Sequence, residues 1–163
     1  MNILIGGRKM NIPSWLKDLE ERLRLTLASS VRDIAAVTPG IKVGIFSSTW
    51  GRATGANGYI VYLSCGWPET DRKEVDEVAL EISFSHVDSA PTFSADVCWG
   101  HPSGYVEAEF SAVHTPLSAQ AIERLFSDLP RLVSALQAAV ERGHPKIEEP
   151  IQPPQTTPLA RRV

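Results

Sequence analysis

Three successive runs of alternating apolar and polar residues lie within Val78–Ala112, VALEISFSHVDSAPTFSADVCWGHPSGYVEAEFSA, and they constrain this chain more than any other feature. Successive side chains of a strand point to opposite faces of a sheet, so strict alternation marks a strand with one covered and one open face. The runs near Val78–Val87, Thr92–Trp99 and Tyr105–Val113 therefore read as a three-stranded antiparallel meander. Their turns are Asp88-Ser89-Ala90-Pro91 and Gly100-His101-Pro102-Ser103-Gly104, rich in the residues that turns select.

Parity divides the meander. Val78, Leu80, Ile82, Phe84, Phe93, Ala95, Val97, Trp99, Val106, Ala108, Phe110 and Ala112 fall on one face, which helices should cover. Glu77, Glu81, Ser83, Ser85, Thr92, Ser94, Asp96, Cys98, Glu107, Glu109 and Ser111 then take the other. The tightest turns pair Ile82 with Val97 and Val97 with Ala108, which sets Asp96 opposite Glu109 and Cys98 between Glu81 and Glu107. No Lys or Arg lies in these strands to offset the repulsion.

Two amphipathic helices flank the strands. Leu16, Leu19, Leu23, Leu27, Val31 and Ile34 recur at three- and four-residue steps, predicting a helix over about Trp15–Val37, capped by Ser14 and stopped at Thr38-Pro39-Gly40. Ile122, Leu125, Phe126, Leu129, Leu132, Val133, Leu136 and Val140 form a second stripe that begins at Ser118. Pro130 inside it should kink or break that helix into two pieces before Gly143. Between the first helix and the meander, Ile41–Phe46 and Tyr59–Ser64 read as two strands joined by a long loop, SSTWGRATGANG. That loop has three glycines and Arg52, but it lacks the Gly-Lys-Ser/Thr ending and the following helix of a phosphate cradle, so it reads as a plain loop.

The predicted fold is α+β, in the order α-β-β-β-β-β-α: an antiparallel meander sheet of about five strands with an N-terminal helix and a Pro-broken C-terminal helix packed on one face. At 163 residues and 43% hydrophobic, the chain supports one core, assigned to residues 14–143. Residues 1–13 read as a flexible N-terminus, with Met10 the expected true start, and the Pro-rich segment 144–163 reads as a disordered tail.

The net charge of −3 argues against nucleic acid as a partner. It is unevenly spread: residues 69–109 hold ten acids and only Arg72 and Lys73 as bases, a local net of −8. No run approaches the ~18 apolar residues of a membrane span. Two cysteines and no signal-peptide pattern point to the cytoplasm.

Catalytic signatures are absent from the spacing. His101 and His144 precede prolines in turns, and His86 and His114 sit near strand ends, so surface placement accounts for all four. No nucleophile elbow or spaced carboxylate supports a triad. Cys98 and His101 make one Cys-x-x-His half-site with Cys65 and His114 as remote candidates, too little for zinc. No metal or cofactor is expected. Trp50, Trp67 and Trp99, with Arg52, are candidates for a ligand rim, although tryptophans at strand ends more often cap a core.

The leading expectation is a non-enzymatic protein-binding module of a bacterial, immunity- or adaptor-like kind, which holds a basic protein on Glu81, Asp96, Glu107 and Glu109. The alternative is a small ligand-binding or hydrolytic enzyme with a cavity between sheet and helices. A homodimer, formed through the second strand where Ile60 and Tyr62 oppose the parity of Tyr59, Val61 and Leu63, is a further reading.

Overall fold

The structure, a computed structural model, describes residues 12–51, 57–67, 77–100, 106–111 and 114–143, with residues 50, 51, 57, 100 and 106–111 described through the backbone alone. Helix α1 spans Ser14–Val37 and helix α2 spans Ala119–Arg142. Between them run β1 (Lys42–Gly51), β2 (Asn57–Gly66), β3 (Glu77–Ser85), β4 (Thr92–Gly100), β5 (Val106–Ser111) and the two-residue β6 (Thr115–Pro116). Strands β1 to β5 form an antiparallel meander in sequence order, and β6 pairs with β4 beyond β5. The α+β arrangement expected from the pattern is the one observed.

Both helices lie on one face of the sheet, α1 over β1 and β2, α2 over β3 and β4. The covered side carries Val43, Ile45, Tyr59, Val61, Leu63, Cys65, Val78, Leu80, Ile82, Phe84, Phe93, Ala95, Val97 and Trp99. In β3 and β4 these are the residues that alternation assigns to the core, and all eight are buried. Leu16, Leu19, Leu23, Leu27 and Ile34 face them from α1, and Leu125, Leu129, Leu132 and Leu136 from α2. Burying each such side chain contributes about 1.5–3 kcal/mol, so the helices owe their position to the leucine stripes.

Helix α2 is not broken at Pro130. It continues through the proline, whose side is exposed, while Leu125 and Leu129 before it and Leu132 and Leu136 after it sink into the same core. A mid-helix proline costs about 3 kcal/mol, less than the burial of four leucines returns, so packing keeps the two halves in one helix. The N-caps also divide differently from expectation. Ser118 caps α2, its Oγ accepting from the Ala121 N–H at 3.1 Å. Pro13, not Ser14, occupies the cap position of α1, and its carbonyl accepts from Leu16 and Lys17.

The first hairpin is longer than the apolar runs suggest. Strands β1 and β2 stay paired from Lys42↔Gly66 to Gly51↔Asn57, so Ser47, Ser48, Thr49 and Trp50 are strand, not loop. Arg52 and the rest of the connection lie outside the described residues, as do the acidic connector before Glu77, the N-terminal segment and the Pro-rich tail.

A polar cluster fixes α1 to this hairpin. The Glu20 carboxylate accepts from the Tyr59 hydroxyl, from Ser47 Oγ at 2.8 Å and from Arg24 Nε at 3.0 Å. Arg24 also donates to the Ile45 carbonyl at 2.9 Å and to Ser47 Oγ. Burial alone would push the Glu20 carboxyl up, but the hydrogen bonds from Tyr59, Ser47 and Arg24 outweigh it and hold the group below its ordinary value. Because β1 is the edge of the meander, the guanidinium on Ile45 also shields a carbonyl of the edge strand. Across the helices, Arg22 pairs with Glu123 at 2.8 Å and stacks 3.7 Å over the Phe126 ring.

Candidate functional site on the outer face of the sheet

The face away from the helices is built by strand register. One row crosses all five strands: Phe46↔Tyr62↔Glu81↔Asp96↔Ser111. Small residues flank it on both sides, Gly44↔Ser64↔Ala79↔Cys98 in one neighbouring row and Ser83↔Ser94 in the other, where Ile60 pairs with Ser83. The outer face is thus divided lengthwise. Its β1–β2 half carries Phe46, Ile60 and Tyr62; its β3–β4 half carries Glu77, Glu81, Asp96 and Cys98.

Each half has a distinct physical character. Phe46 is 51% exposed, although large and apolar. Its ring lies 5.7 Å from that of Tyr62 and folds back over Gly44, where an added Cβ would come within 2.8 Å of the ring. Glycine at 44 is what makes room for the ring. In the other half, Glu81 faces Asp96, and like charges directly opposite are destabilising. Burial, together with the neighbouring Glu77 and Asp96 charges, pushes the Glu81 carboxyl above its ordinary range. Oδ1 of Asp96 is closed off from water and has no hydrogen-bond partner among the described residues. Burial and the carboxylates also raise the Tyr62 hydroxyl and push the Cys98 thiol up to about 12. Both helices lie on the opposite face, the wrong side for their arginines to neutralise this pair. Among the described residues, Lys42 is the base in nearest register, in the row of Glu77 and two strands from it.

The register corrects the expected pairing. Glu81 meets Asp96, and Ile82 meets Ala95, not Val97. The cause is the turn: Val87 leaves the strand and buries its side chain in the core, and His86 adopts a left-handed φ of 54°, so the hairpin closes at Ser85↔Thr92. On the other side of β4, Asp96 pairs with Ser111 and not with Glu109. A bulge between Val97 and Cys98 shifts the register, leaving Glu109 without a pair and setting Glu107 beside Trp99 in the core row. Of the four acidic residues predicted together, the structure joins Glu81 to Asp96; the side chains of Glu107 and Glu109 lie outside the described residues.

Trp67 and Trp99 stack on one another, ring centroids 6.0 Å apart and 14° from parallel, with Trp99 buried and Trp67 packed against the core. Trp50 is in β1, with its side chain outside the described set. Cys65 lies on the helix-covered face and Cys98 on the outer one, so the two sulfurs cannot share an ion. His86 and His114 are exposed, and His101 falls outside the described residues. Among the described residues no group of three or more His, Cys, Asp or Glu could hold a metal ion, and no helix is long and apolar enough to cross a membrane.

Of the aromatic half, sequence reasoning singled out Ile60 and Tyr62 as a contact surface between two copies and missed Phe46. The signal for the first two was that they break the parity of their strand. Phe46 completes the patch only once β1 is known to pair with β2. The chain matches no family model, no curated protein and no solved structure.

Proposed function

We propose that this protein is a non-enzymatic binding module that holds a basic protein partner on the outer face of its sheet. The observation that carries the reading is the Glu81–Asp96 pair, two carboxylates set opposite each other on the face away from the helices. A cationic side chain from a partner, placed over the pair, relieves their repulsion. The packed Leu, Ile and Phe side chains between sheet and helices favour this over the enzymatic alternative with a cavity there. An immunity- or adaptor-like role in a bacterial cytoplasm is the setting such a module suits. Binding of this kind is accelerated by charge and weakened by salt.

The test is charge reversal. Partners captured from the native cell are purified, and their affinity for wild type is compared with that for Glu81→Lys/Asp96→Lys across a salt series. Loss of binding and of its salt dependence in the variant is the expected result; unchanged binding and unchanged salt slope sink the reading.

A further inference from the structure

Among the described residues β1 is an edge strand, hydrogen-bonded to β2 on one side and to no strand on the other. Such an edge is a template for another chain, and proteins blunt it with charges, prolines or bulges. Strand β1, KVGIFSSTWG, has none of these along its length. Its one charge is Lys42 at the first position, it contains no proline, and its pairing to β2 keeps an unbroken register. Phe46, in the middle of the strand, is half-exposed. A short segment of high β-propensity and low charge is the kind that pairs with its own copy.

One side chain stands in the way. Arg24 reaches over from α1, 40% exposed, and donates through Nη1 to the Ile45 carbonyl at 2.9 Å and through Nη2 to Ser47 Oγ at 3.1 Å. Those two residues straddle the centre of the strand. Nε of the same guanidinium donates to Glu20, which accepts in turn from Tyr59 and Ser47, so the planar fork is fixed at three points. Away from the acidic pair altogether, we infer that Arg24 is a guard on the β1 edge: with it in place the chain stays a single copy, and without it two chains join by antiparallel pairing of β1 with β1 about a two-fold axis. With α1 stacked on it, this edge is about 34 Å long and about 20 Å deep, on the order of 700 Å² per copy, close to the ~800 Å² that each partner buries in a standard interface. The two-fold axis stands perpendicular to the joined sheet, so both Phe46 rings lie on its outer face at the junction.

Light scattering coupled to size-exclusion chromatography of the full chain, over a wide concentration series, tests the guard. Wild type should keep the mass of one copy throughout. Arg24→Ala should double in mass at the upper end while its far-ultraviolet circular dichroism stays that of wild type. Leu136→Ala, which weakens the core away from the edge, should remain one copy. Arg24→Ala/Phe46→Lys, which puts a charge on the bare strand, should return to one copy. Should Arg24→Ala fail to fold, Arg24→Lys takes its place, because it keeps the stem and the charge but cannot span Glu20, Ile45 and Ser47 at once. Four outcomes overturn the inference: an Arg24 variant that stays one copy, wild type that already pairs, doubling that Leu136→Ala shares, or doubling that Phe46→Lys leaves untouched.

Discussion

Glu81 and Asp96 are cross-strand partners at the centre of the sheet, and burial together with the Glu77 and Asp96 charges disfavours the charge of Glu81. Such a pair is a cost to folding, and it can be removed. With its carboxyl raised above the ordinary value of 4.5 in the folded state, Glu81 binds a proton more readily folded than unfolded, so its contribution to stability falls as pH rises through that window. Glu81→Gln should therefore raise Tm near neutrality, on the order of 1–3 °C. The gain should vanish well below 4.5, where the carboxyl is protonated in both states. A variant less stable than wild type at neutral pH refutes the repulsion.

The Tyr59 hydroxyl donates to Glu20, whose lowered carboxyl signs the other way. Its stabilisation is present above the unfolded value of 4.5 and is lost as pH falls through the lower folded value. Tyr59→Phe should cost about 1.5–3 kcal/mol in urea unfolding near neutrality, the range for a hydrogen bond to a charged group. The cost should shrink in acid. An equal loss at both pH values shows that the bond does not depend on the ionised carboxylate.

Pro130 is exposed within a continuous helix, so its ring contributes a backbone defect without contributing to the core. Pro130→Ala should stabilise the protein, by up to about 3 kcal/mol, seen as a higher urea midpoint with an unchanged slope. A lower midpoint means that the proline is needed where it stands.

Both thiols should resist alkylation in the native state. Cys65 is fully buried and Cys98 is 8% exposed, and burial pushes each up to about 12, so little thiolate is present near neutrality. Mass spectrometry after iodoacetamide treatment should show no adduct without denaturant and two with it. Rapid labelling of the native chain at Cys98 contradicts the closed setting given to it.

Leu136→Ala probes the core itself. The side chain is wholly buried between α2 and the sheet, and its truncation should cost about 2–5 kcal/mol, read as a drop in the urea midpoint. A loss under about 1 kcal/mol is inconsistent with a close-packed interior at that point.

What the sequence by itself determined is the local patterning. Period-two alternation marked β3 and β4 and their buried face, and the leucine spacing marked both helices, because each depends only on which residues neighbour one another along the chain. Three features required the tertiary structure. The length of the first hairpin was hidden because Ser47, Ser48 and Thr49 carry no apolar alternation, yet they pair against a partner strand. The fate of Pro130 depended on a core that holds both halves of its helix in place. The make-up of the outer face depended on register, which the burial of Val87 in a longer turn and the bulge after Val97 set. Parity says which face a residue takes; only the pairing of strands decides that Phe46, Tyr62, Glu81 and Asp96 share one row.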